Sequence, residues 1–108
     1  MTRNVTHHGV IIYPYQTRMI INYKHKGLAL YSKTGSKSGI DPTHELRLSS
    51  LLSFMENARS PLDLLAFHCH ALTGDLKGRY AVKVTGNWRL TFRFEREDIC
   101  DVDLVDYH

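Results

Sequence analysis

The chain has 108 residues, 43% hydrophobic and 23% charged, with a formal net charge of +3 and 7 histidines in reserve. That is one domain, long enough to bury a core without disulfide staples. Two cysteines with no CxxC spacing give no disulfide framework, and no apolar run approaches the roughly 20 residues of a membrane span. A reducing cytoplasm is the expected setting, and the modest positive excess favours a polyanionic partner.

Residues 1–18 read as a leader, either disordered or an added edge strand, ahead of a domain over 19–108. The apolar run Val10-Ile11-Ile12-Tyr13 is too short for a signal peptide. Met19 to Tyr23 reads as the first strand. Lys24 to Thr34 can form a short helix, with Leu28 and Tyr31 on one face and Gly35 as its C′ glycine. Asp41-Pro42 is a second helix start, an N-cap acid followed by proline. Leu48, Leu51, Leu52, Met55 and Ala58 then recur at helical spacing, and Ser60-Pro61 marks the end.

Ser60 to Cys69 is a connection, with a turn of helix around Leu62 to Leu65. His70-Ala71-Leu72 is a short extended piece, and Thr73 to Gly78 is a loop. Arg79 to Glu95 is the organising stretch, two strands joined at Thr85-Gly86-Asn87. In its second half Trp88, Leu90, Phe92 and Phe94 alternate with Arg89, Thr91, Arg93 and Glu95. Alternation separates an aromatic face from a basic one. Ile99 to Tyr107 is the last strand, with Cys100, Val102 and Leu104 expected on one face. The expected fold is α+β, with two N-terminal helices packed on an antiparallel, twisted sheet.

Charge follows the same division. Lys77, Arg79, Lys83, Arg89 and Arg93 fall in one window, and Glu95, Glu97, Asp98, Asp101, Asp103 and Asp106 follow it. Ion pairing between neighbouring strands accounts for part of this; a phosphate-binding surface accounts for the rest.

His70 precedes the hairpin, and Asp106, Tyr107 and His108 end the chain. A last strand beside the hairpin brings the terminus toward Arg89 and His70. Such a set suits metal-free RNA cleavage. One group takes the 2′-OH proton, another protonates the leaving 5′-oxygen, and a cation holds the phosphorane charge. Histidine titrates near neutrality, and arginine offers a planar, permanently charged fork. A zinc site is the rival chemistry: His68 and His70, two apart on a strand, with His108 or Cys69. No metal and no cofactor is expected.

Four blocks carry a resemblance. They are Tyr23-Lys24-His25-Lys26-Gly27-Leu28, Cys69-His70-Ala71-Leu72-Thr73-Gly74 through Gly78, Gly86-Asn87-Trp88-Arg89-Leu90-Thr91-Phe92-Arg93-Phe94, and Asp106-Tyr107-His108. In this order they resemble the HigB-type toxins, the plasmid-maintenance killer branch of the RelE/ParE superfamily. The likeness runs from about Met19 to His108. Thr73 stands where the family often has lysine, with Lys77 or Arg79 nearby as a replacement cation. Ala66-Phe67-His68 replaces the family's Pro-Gly, and the leader has no counterpart.

The resemblance implies a toxin of a type II toxin–antitoxin pair with a RelE-like two-layer fold. It implies metal-independent cleavage of mRNA in the ribosomal A site, against 16S rRNA, and inhibition of translation. It implies neutralisation by a HigA-like helix-turn-helix antitoxin, which carries the toxin indirectly to operator DNA. The family's site maps onto His70, Arg89, Asp106, Tyr107 and His108. Lys24, Lys26, Lys77, Arg79, Lys83 and Arg93 are expected to grip RNA by charge. The alternatives are a non-catalytic ParE-like toxin acting on DNA gyrase, or an antitoxin-bound co-repressor without nuclease activity.

Overall fold

The computed structural model describes the backbone of residues 5–7 and 10–12, and residues 20–106 with their side chains. Near the N-terminus, β1 (Val5–His7) pairs antiparallel with β2 (Val10–Ile12) as a separate two-stranded ribbon. Two helices follow, α1 (Lys26–Thr34) and α2 (Glu45–Met55). The main sheet is antiparallel in the order β3 (His70–Ala71), β4 (Tyr80–Thr85), β5 (Trp88–Glu95), β6 (Asp98–Asp106). Helices on one face of an antiparallel sheet make the expected α+β two-layer domain. No helix among the described residues is long and apolar enough to cross a membrane.

Helix α1 owes its start to the His25-Lys26-Gly27-Leu28 block. His25 is the N-cap, and its Nδ1 accepts from the Leu28 N–H at 3.1 Å. Leu28 is fully buried. Gly27 lies so close to Gly39 that a Cβ there would collide with the Gly39 carbonyl. The helix ends at Gly35 (φ 80°), whose N–H donates to the Tyr31 carbonyl. Asp41 caps a 3-10 turn, Pro42–His44, by accepting from the Thr43 N–H, and that turn runs into α2. Leu48, Leu51, Leu52 and Met55 point from α2 into the core. The helix stops at Met55, short of Ser60-Pro61; Ala58 is buried from the turn that follows. Pro61–Phe67 is a seven-residue 3-10 helix that sends Leu64 inward, longer than the turn expected around Leu62.

The core joins these helical residues to Val82, Val84, Leu90, Phe92, Ile99, Val102 and Leu104 on one face of the sheet. Fully burying a leucine or phenylalanine contributes ~1.5–3 kcal/mol, so this face dominates the stability. Tyr80, Phe92 and Phe94 meet at its end, with edge-on contacts from Phe94 to both other rings. The β4–β5 turn is two residues long, with Gly86 at φ 55°, as its sequence requires.

The expected first strand is instead an extended segment laid parallel along β6. Ile20 bridges Ile99 and Tyr23 bridges Val102, with the Ile21 N–H donating to the Ile99 carbonyl at 2.8 Å. Asp101 interrupts this edge with φ 53°. The irregularity shifts the β5–β6 register between Thr91 and Arg93. Val102 and Leu104 therefore face the helices, whereas Cys100 pairs with Arg93 on the other face. The expectation that Cys100, Val102 and Leu104 share a face is corrected by that bulge.

Asp101 is heavily bonded. Asn22 Nδ2 donates to its Oδ1 at 2.7 Å, and its own N–H donates to Asn22 Oδ1 at 2.9 Å. Arg93 Nε donates to its Oδ2 at 2.7 Å, and Arg79 donates to its carbonyl at 2.6 Å and to Thr91 Oγ1 at 3.0 Å. The Asn22 amide, then the Arg93 guanidinium, hold the carboxyl below its ordinary range. A depressed carboxyl stabilises the fold fully above the unfolded value, and the benefit is lost as pH falls through the folded one.

Two outcomes follow from this packing. Gly27→Ala should destabilise the protein by about 3 kcal/mol, the upper end for overpacking, because the obstacle is backbone; a denaturant titration measures it. Asp101→Asn should melt below wild type at about pH 7, with the gap shrinking toward about pH 3, below the ordinary carboxyl value; thermal melts across that range test the sign.

Candidate nucleic-acid interface

The face of the sheet turned away from the helices is set by register. His70 pairs with Ala81, Ala81 with Thr91 and Thr91 with Asp103, making one row across the sheet. Lys83, Arg89 and Val105 make the next row toward the β4–β5 turn. Cross-strand partners share a face, so His70, Lys83, Arg89 and, past the bulge, Arg93 lie on one side. Strand geometry puts the Cα atoms of His70 and Arg89 about 12 Å apart, within joint reach of a single phosphodiester.

His70 is exposed, and its Nδ1 lies 3.1 Å from the His68 carbonyl oxygen. A carbonyl only accepts, so Nδ1 carries the proton in this bond. The neutral ring then offers Nε2 as an acceptor facing solvent. His68 supplies that carbonyl from a left-handed conformation (φ 58°) at the end of the 3-10 helix, not from a strand. The alternation assumed for a His68/His70 metal pair is therefore absent. Among the described residues no group of three or more His, Cys, Asp or Glu could hold a metal ion. Burial pushes the Cys69 thiol up to about 11, away from thiolate chemistry.

Arg89 is half-buried. Its Nη1 donates to the Gly86 carbonyl at 2.8 Å and the Trp88 carbonyl at 3.1 Å, which parks the guanidinium beside the turn. Lys83 is exposed on the same row, and its own carbonyl accepts from Arg47 at 3.3 Å. Lys77 is exposed in the β3–β4 loop beside Thr73, and Lys24 and Lys26 are exposed at the start of α1. Arg79 and Arg93 differ from these: both are engaged with Asp101 or its carbonyl. The ion pairing read from the charge pattern is thus real for Arg93.

The chain terminus divides. Asp106 is exposed at the end of β6 and pairs in register with Trp88, on the helix side of the sheet. Strand spacing puts its Cα about 17 Å from that of His70. His70 and Arg89 are thus brought to one face and Asp106 is not, while Tyr107 and His108 lie outside the described residues.

Three contributors carried no motif. Asn22 and Asp101 organise the edge; the acidic run after a basic window was the signal for Asp101. His44 is 4% exposed and packs against Trp88, with ring centroids 5.3 Å apart. Nothing in its local sequence sets it apart from the cap beside it.

A family model described as the RelE-like toxin of type II toxin-antitoxin system HigB matches residues 21–108. The chain is also similar to Endoribonuclease HigB of Proteus vulgaris, with 34% identity over 92 residues, covering 83% of this chain and 100% of that protein. The match begins at residue 21, where the extended segment joins β6. This chain therefore belongs to the HigB family of RelE-like toxins of type II toxin–antitoxin systems.

Proposed function

We propose that this toxin is an endoribonuclease that cleaves mRNA in the ribosomal A site and so arrests translation. The observation that carries the reading is the His70 ring: an exposed imidazole with Nδ1 committed to the His68 carbonyl, on the same face as Arg89. Its Nε2 takes the proton from a 2′-OH. The 2′-oxygen attacks the adjacent phosphorus, and the P–O5′ bond breaks. A 2′,3′-cyclic phosphate forms, and the departing 5′-oxygen takes a proton from an acid.

His108 is the candidate acid, Asp106 orients the terminal group, and Tyr107 stacks on a splayed base. Arg89 stabilises the phosphorane. A phosphate would draw its guanidinium from the two neutral carbonyls that hold it, because a charge-assisted bond is stronger. Lys24, Lys26, Lys77 and Lys83 meet ribosomal RNA through charge, while Arg79 and Arg93 act chiefly through the Asp101 network. The toxin's partner is a HigA-like helix-turn-helix antitoxin, and operator DNA is reached through it. All of this chemistry is assigned to side chains of the toxin itself.

Substitution tests it. His70→Ala and Arg89→Ala should each lower cleavage of ribosome-bound mRNA by ~100-fold or more, the usual cost of losing a proton-transfer group or an oxyanion donor. Undiminished cleavage in both variants would overturn the nuclease reading. Growth arrest that persisted without cleavage would favour a ParE-like target. Lys83→Ala should lower affinity for ribosomes and reduce the log–log salt slope by about 1, as expected when one phosphate contact is removed. Binding curves at several salt concentrations give that slope.

A further inference from the structure

Among the described residues, Nδ1 of His44 is the buried side-chain polar atom without a hydrogen-bond partner. His44 precedes α2, yet its side chain makes no cap bond there. The ring packs against Trp88, tilted 57° to it.

Trp88 is the junction of the site. It is the first residue of β5 and closes the β4–β5 turn opposite Thr85. Its carbonyl accepts from the Arg89 guanidinium. Its register partner is Asp106, the last described residue of β6. The residue that carries the indole thus also carries the carbonyl that parks Arg89 and pairs with the strand end at Asp106. On the helix side of the sheet the indole packs against the core, and the ring it meets there is His44, from the turn that leads into α2.

We propose that His44 is a positioning residue for RNA cleavage: it seats Trp88, and through Trp88 it sets the Arg89 guanidinium and the strand end at Asp106. This rests on the nuclease reading above. His44 itself touches neither RNA nor a reacting atom. Its removal should slow the chemical step without weakening the grip on the ribosome, which depends on exposed cations carried by other elements.

The test is single-turnover cleavage of ribosome-bound mRNA, run well below each variant's melting temperature. His44→Ala should lower the rate at saturating toxin by about tenfold or more, with half-saturation within about twofold of wild type, as a small misplacement of a catalytic group does. His44→Phe keeps an aromatic ring against Trp88 and removes the unpartnered nitrogen. It should melt higher than wild type and cleave within about threefold of it. Trp88→Leu should reproduce the His44→Ala loss, and the double variant should be no slower than the slower single one.

Wild-type rates in His44→Ala, a loss not rescued by Phe, or multiplying effects in the double variant would each overturn the proposal. His70→Ala separates the two levels. If it too cleaves like wild type, the nuclease site falls and this role with it. If it is inactive while His44→Ala is not, the positioning role alone falls.

Discussion

Asp101 is the joint on which the sheet closes. Its left-handed backbone breaks the β6 ladder and leaves its carboxylate and carbonyl available to other strands. Asn22 reaches it from the parallel edge, Arg93 from β5 and Arg79 from just before β4. Three other segments thus meet at one acid. The bulge also sets facing: it turns Val102 and Leu104 inward and leaves Cys100 opposite Arg93. Without it, the core side of the last strand would be out of step with Leu90 and Phe92.

The two faces of the sheet then divide the work. The helical side is closed by leucines from α2 and aromatics from β4 and β5. The open side carries a solvent-facing imidazole, a guanidinium parked on turn carbonyls and an exposed lysine. Cations already bonded inside the protein stiffen this face, and Lys83 is left in water. Arg79 and Arg93 look equivalent to Lys83 in a charge count, yet their bonds place them in the scaffold.

Much of this was legible in the chain itself. Strict alternation from Tyr80 to Glu95 identified the hairpin and its two faces, because a half-buried strand has no other way to arrange apolar side chains. Asp41-Pro42 and Gly35 marked helix ends by local chemistry that tertiary contacts do not override. The 3-10 helix from Pro61 to Phe67 was legible only as a turn, since seven residues carry too little period. Helix α2 seemed longer because Ala58 is buried like the stripe before it, though from a turn. The shift at Asp101 was invisible because a left-handed aspartate has no signature apart from the partners that hold it. In the site, His70 and Arg89 followed from alternation once the strands were aligned. The side on which Asp106 emerges depends on the β5–β6 register, which only cross-strand pairing reveals. His44 has a role only through a ring forty-four residues away.

Trp88 is the protein's single tryptophan, and it sits between an imidazole beneath and the arginine turn above. Its intrinsic emission therefore belongs to one place in the molecule and has no competing indole signal. Docking of a ligand at that turn changes the surroundings of the lone emitter directly. The toxin thus carries a label-free optical gauge of that turn, independent of any assay of cleavage.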